Sequence, residues 1–184
     1  MGDFNPYLFK TNDYGKTWKK IVNGIKPEHF TRVLRSDPAR KGLLYAGTES
    51  GLYVSYDDGE SWSSFQKNLP IVPITDITIK DNSLIVATQG RSLWLIDDLT
   101  VLHQLQKEEN RPKLYAPKDA YRVPGRGGRS SLTEGTNLPN GAIVHYYLPE
   151  FNEKTDSLAI NTVSYTHLRA HETEADLVCR LLLE

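Results

Sequence analysis

Cysteine is nearly missing from these 184 residues: Cys179 is alone, so no internal disulfide can staple the chain. Methionine occurs once. Neither sign of charge is in excess, with 22 Lys and Arg against 23 Asp and Glu. That balance argues against partners chosen by bulk charge, nucleic acid above all. No apolar run is long enough to cross a bilayer as a helix, and Met1-Gly2-Asp3-Phe4-Asn5-Pro6 lacks the basic-then-apolar layout of a secretion signal. Ligand spacing is lacking too. His29, His103 and His145 stand apart from any carboxylate or thiol at metal-binding distance in sequence, and only His167 and His171 share helical spacing. We expect neither metal nor cofactor. The composition, 39% hydrophobic and 24% charged, is that of ordinary globular material, so function has to be sought in pattern.

The pattern is a repeated turn. Thr11-Asn12-Asp13-Tyr14-Gly15-Lys16-Thr17-Trp18 and Ser55-Tyr56-Asp57-Asp58-Gly59-Glu60-Ser61-Trp62 both read hydroxyl, any, Asp, any, Gly, any, hydroxyl, Trp. Asp13 and Asp57 stand 44 positions apart, and alternating apolar residues precede each copy. A period of roughly 40–50 residues with β-type alternation inside each unit is the signature of a radial β-repeat. An Asp side chain can close an Asx-type turn on backbone N–H groups further along, while Gly15 and Gly59 supply the positive φ of a tight hairpin. Thr11, Thr17, Ser55 and Ser61 can pair locally, and Trp18 and Trp62 can each place a ring between neighbouring sheets.

The units follow in order. Residues 1–22 read as the last hairpin of a repeat already under way, which suggests an internal start or a truncated gene at Met1. Phe30 to Arg35, Leu43 to Thr48, Gly51 to Ser55 and Ser61 to Phe65 make four strands, with Ser36-Asp37-Pro38 as a turn. Ile74 to Lys80, Ser83 to Thr88 and Ser92 to Ile96 begin a third unit whose turn has decayed to Asp97-Asp98-Leu99 without Gly or Trp; Asp98 follows Asp57 by 41 positions. From Thr100 the repeat ends. Val101 to Leu105 and the charged Lys107 to Arg111 suggest a short helix or turn, Leu114 to Pro117 an extended piece, and Gly125 to Ser131 a flexible loop. Ala142 to Leu148 and Ser157 to Ile160 read as a strand pair.

These motifs resemble the Asp-box, or BNR repeat, of sialidase-like and sortilin-like β-propellers, and Val86 to Leu99 resembles the last blade of large exported members of that class. The resemblance implies an all-β fold: an incomplete β-propeller of about two four-stranded blades plus a hairpin at 1–104, a linker at 105–140, and the truncated start of a C-terminal β-sandwich module at 141–162. Whole propellers have about four to eight blades, so an open arc leaves faces and edges uncovered. Residues 163–184 have another origin in this reading. Val163 to Thr173 and Leu177 to Glu184 resemble a translated sequencing adapter, although Leu168 to Leu183 also fits an amphipathic helix by pattern.

For function, the resemblance implies an exported parent, secreted or periplasmic, acting as a scaffold that presents loops to a glycan or a protein. The alternative is a sialidase- or xyloglucanase-like glycoside hydrolase whose catalytic residues lie in other blades. Glycosidases need two carboxylates facing one cleft. Asp13 and Asp57 are committed to their own turns. Asp97 and Asp98 are neighbours that point to opposite faces of a strand, and Asp76 reads as a turn or edge residue. Arg32, Arg35 and Arg91 are available cations, for which solvated or ion-paired surface roles are favoured. Gly125-Arg126-Gly127-Gly128-Arg129 reads as a plain linker. No catalytic residue is assigned. The candidate ligand-facing loop is Gln89-Gly90-Arg91, between two strands and within reach of a propeller's central channel.

Overall fold

The computed structural model describes residues 3–105, 111–120 and 141–149, together with the backbone of 178–181. They belong to two compact units, residues 1–107 and 108–184.

In the first unit, β1 (Phe9–Lys10) and β2 (Lys19–Lys20) form an antiparallel hairpin. β3 (Thr31–Ser36), β4 (Leu44–Thr48), β5 (Gly51–Ser55) and β6 (Ser63–Ser64) form a four-stranded antiparallel sheet in sequence order. β7 (Ile74–Lys80), β8 (Ser83–Thr88) and β9 (Leu93–Ile96) form a three-stranded one, and α1 (Thr100–Gln104) follows. None of these sheets closes on itself. This is the all-β, propeller-like architecture that the repeat predicts.

The third repeat is one strand short, and the reason is local. Without a Gly or Trp after it, Asp98 cannot close the hairpin; its Oδ1 instead accepts from Thr100 N at 2.9 Å, Thr100 Oγ1 at 2.5 Å and Asn82 Nδ2 at 2.8 Å. The chain turns into α1 at that point. The expected β7–β8 turn is present, with Asp81 and Asn82 both at positive φ.

The middle sheet is covered on both sides, so β4 and β5 are buried at every position, as strands buried on two faces must be. Leu44, Ala46, Tyr53 and Trp62 face the first hairpin, where they meet Leu8 and Ile21. Leu43, Tyr45, Leu52 and Val54 face the third sheet, where they meet Ile74, Ile77 and Leu84. Burying each such aliphatic side chain is worth roughly 1.5–3 kcal/mol. Arg35 of β3 crosses the second junction, donating to Ile77 O at 2.9 Å and to Asp76 Oδ1 at 2.7 Å.

In the second unit β10 (Lys113–Leu114) pairs antiparallel with β11 (Ile143–Tyr147), which pairs in parallel with β12 (Val178–Leu181). β10 thus falls inside the expected linker and β11 inside the expected sandwich segment. The expected strand at Ser157–Ile160 and the Gly125–Ser131 loop lie outside the described residues. Where the amphipathic pattern allows a helix over 168–183, the four described residues form a strand. Val178-Cys179-Arg180-Leu181 alternates as readily as it winds, and a ladder with β11 satisfies its backbone groups.

Candidate functional site

The two aspartate turns have the same wiring. In the first, Asp13 Oδ1 accepts from Thr17 N at 2.8 Å and Thr11 Oγ1 at 2.8 Å, and Oδ2 accepts from Thr17 Oγ1 at 2.6 Å. Gly15 N donates to Thr11 Oγ1 at 2.8 Å. In the second, Asp57 Oδ1 accepts from Ser61 N and Ser55 Oγ, both at 2.8 Å, and Oδ2 accepts from Ser61 Oγ at 2.5 Å; Gly59 N donates to Ser55 Oγ at 2.9 Å. Both glycines sit at φ +89°, and the residues before them, Tyr14 and Asp58, are also left-handed, at 57° and 60°. Two consecutive positive φ values match the central pair of a type I′ turn, set here within an eight-residue loop between paired strands. The hydrogen bonds from the Thr17 side chain, the Thr17 backbone and the Thr11 side chain hold the Asp13 carboxyl down at about 2. It is an anion spent on its own loop.

The tryptophans differ. Trp62 is buried, 4% exposed, with Nε1 donating to Ile21 O of the preceding hairpin at 2.9 Å. Trp18, expected to pack between sheets in the same way, is 61% exposed, and its Nε1 donates to Gly15 O of its own turn at 3.2 Å. The described residues before it offer no hairpin equivalent to the one that receives Trp62.

The Gln89-Gly90-Arg91 loop is the β8–β9 hairpin tip, exposed throughout. Thr88 Oγ1 and Thr88 N both donate to Ser92 O, at 2.7 and 3.2 Å, and Gln89 N donates to Pro73 O at 2.9 Å. Trp94 Nε1 donates to Arg91 O at 2.9 Å, which fixes the base of the loop. Gly90 is at φ +82° in open space. The guanidinium of Arg91 pairs with no carboxylate among the described residues. Arg32 and Arg35 are instead consumed locally, by Glu49 at 2.5 Å and Asp76 at 2.7 Å. Asp76, next to an irregularity in the β7–β8 ladder, also accepts from Ile77 N at 2.8 Å.

One cluster escaped the sequence reading. The turn residue Asp37 is buried, and its carboxylate accepts from Ala39 N at 2.8 Å, Arg40 N at 3.0 Å, Tyr45 OH at 3.1 Å and His103 Nε2 at 3.0 Å. Burial pushes this carboxyl up, but the bonds from His103, Arg40 and Ala39 outweigh it and leave it below the usual range. Burial and the neighbouring Asp37 charge raise the Tyr45 hydroxyl. Arg40 donates to Leu102 O, so two contacts tie α1 to the loop after β3. Asp37-Pro38 signals a turn, but nothing local marks His103, 66 positions on, as its partner.

Together these observations define an open, all-β repeat module with self-satisfied turns and, at the β8–β9 tip, an arginine without a carboxylate partner among the described residues. Comparison with known proteins adds the following. The chain is 35% identical over 71 residues to the vacuolar protein sorting/targeting protein 10 of Pyrenophora tritici-repentis, covering 38% of this chain and 4% of that protein. It is 27% identical over 93 residues to the protein of that name from Leptosphaeria maculans, covering 50% and 6%. A third, from Pyrenophora teres f. teres, matches at 35% over 69 residues, covering 38% and 4%. The matched stretch is thus a small part of each relative. No family model matches the chain.

Proposed function

We propose that residues 3–105 are part of a sortilin- or Vps10-like β-propeller built on Asp-box repeats, a non-catalytic scaffold whose hairpin tips present side chains to a protein ligand. The relatives are named for protein sorting, which favours a protein ligand over a glycan and a parent whose binding domain faces the secretory lumen or the exterior. The observation that carries the reading is the contrast among three arginines: Arg32 and Arg35 are spent on neighbours, whereas Arg91, at a tip braced by Trp94, has no carboxylate partner among the described residues. A planar guanidinium with open donors suits a carboxylate-bearing peptide. The hydrolase alternative gains nothing from Asp13, Asp57, Asp76 and Asp98, each held by adjacent donors or by arginine.

Selection of a random peptide display library on the whole chain, beside an array of sialylated and neutral glycans, tests the proposal. Acidic peptides should be enriched, and Arg91→Ala should weaken the selected peptides about tenfold, the loss of one charge-assisted contact. Glycan binding without peptide binding, or peptide binding indifferent to Arg91, would overturn it.

A further inference from the structure

One hairpin tip is built twice, and the third sheet alters it. In the middle sheet the β4–β5 tip is Glu49-Ser50, between Thr48 and Gly51; in the third sheet the β8–β9 tip is Gln89-Gly90-Arg91, between Thr88 and Ser92. The anchors are equivalent. Thr48 Oγ1 donates to Gly51 O at 2.9 Å and Thr88 Oγ1 to Ser92 O at 2.7 Å, while Glu49 N donates to Phe30 O at 3.0 Å and Gln89 N to Pro73 O at 2.9 Å. The second tip is thus the first made one residue longer.

The accompanying changes all favour an anion. The Glu49 carboxylate, paired with Arg32 at 2.5 Å, is replaced by the neutral amide of Gln89, and Arg32 by Thr75 at the same ladder irregularity. The longer tip carries Arg91, which has no carboxylate partner among the described residues. In the middle sheet Ser50 N donates to Thr48 Oγ1 at 3.2 Å, whereas none of the described residues accepts from the N–H of Gly90, Arg91 or Ser92. Gly90 and Ser92 are left-handed, at φ +82° and +60°, a conformation that serine adopts only at a cost. Successive N–H groups in such a turn make a concavity suited to an anion.

We propose that the β8–β9 tip is an oxyanion site, and that the protein ligand offers it a tetrahedral ester, phosphate or sulfate, on a side chain. Three N–H groups, the Ser92 hydroxyl and the Arg91 guanidinium suit an ester's three terminal oxygens better than the two of a carboxylate. The peptide half of this inference rests on the reading of the chain as a protein-binding scaffold; the anion half rests on the tip alone.

Amide resonances of the full chain, followed during titration with inorganic phosphate, sulfate and acetate at fixed ionic strength, test the anion half. Phosphate and sulfate should shift Gly90, Arg91 and Ser92 saturably, with dissociation constants at least about tenfold below that of acetate. Arg91→Ala and Gln89→Glu, both at exposed positions, should each weaken phosphate about tenfold. In Arg91→Ala the saturated shifts of Gly90 and Ser92 should persist, because their N–H groups remain. Acetate bound as tightly as phosphate, shifts that never saturate, or amide shifts lost altogether with Arg91 would overturn the site. A phosphoserine peptide, a sulfotyrosine peptide and the same peptides carrying Glu instead test the other half. At least one ester should bind about tenfold tighter than Glu, and the tighter of the two identifies the group. Esters no better than Glu would overturn the ester while leaving the acidic-peptide reading in place; phosphate bound at the tip with no peptide captured would overturn the peptide half and that reading together.

Discussion

The first and second aspartate turns share their hydrogen bonds almost to the tenth of an ångström, yet the tryptophans that end them live in different worlds. Trp62 lies against Ile21 and gives its N–H to that residue's carbonyl, whereas Trp18 folds back on its own loop. Gly59 differs from Gly15 in the same way: a Cβ on Gly59 would come within 2.6 Å of Ile21 Cδ1, whereas one on Gly15 would meet only the Trp18 ring, at 3.8 Å. The turn closes by itself, and the neighbouring repeat then supplies the burial. Eight residues suffice for the loop; the energy of packing belongs to the junction.

The widest gap between the two turns should appear on removing the rings. Trp62→Ala should cost about 3–5 kcal/mol, the usual penalty for emptying a buried aromatic site, while Trp18→Ala should stay within about 0.5 kcal/mol, as for an exposed position. Urea denaturation of both variants measures this, and equal losses would show that Trp18 is covered in solution. Replacing the glycines sharpens the comparison at smaller scale. Gly15→Ala strains only its backbone and should cost about 1 kcal/mol; Gly59→Ala adds the clash with Ile21 and should cost about 2–3 kcal/mol. Equal losses here would mean that the first hairpin shifts aside freely, and the junction would then be looser than its buried residues suggest.

What the sequence shows of this is what is local. The turns, the alternation of the strands and the decay of the third repeat are all written in residues that act on near neighbours, and each has its counterpart in the structure. The positive φ of Gly15 and Gly59 follows from their type, but that of Tyr14 and Asp58 does not, because a type I′ turn imposes its conformation on whatever precedes the glycine. The exposure of Trp18 was unreadable for a different reason: its pattern is identical to that of Trp62, and only the absence of a facing hairpin among the described residues separates them. Distance in sequence hid the rest. Asp37 meets His103 across 66 positions and Arg35 meets Asp76 across 41, through packing that no motif encodes. That Arg91 has no carboxylate partner among the described residues is likewise visible only by contrast, once Arg32 and Arg35 are seen to be occupied.

The smallest effect is also the one that isolates the carboxylate from the ring. Asp13 is held at about 2 against an ordinary 3.8, with the Thr17 side chain the largest cause. A depressed folded value means that the turn contributes its stability fully above about 3.8 and loses it as pH falls through about 2. Carbon-detected titration of the side-chain carboxyl should therefore show Asp13 still ionised at pH 3, and Thr17→Val, which removes the hydroxyl donor and keeps the shape, should move its midpoint upward. Asp37 should lag in the same direction, because its donors outweigh its burial. If Asp13 titrates low in a turn whose tryptophan is open to water, the anion needs no cover to be held. The inequality between the two turns then rests on the facing hairpin alone. If Asp13 instead titrates near 3.8, the Thr17 bonds do not form in solution and the first turn depends on a covering repeat as much as the second does.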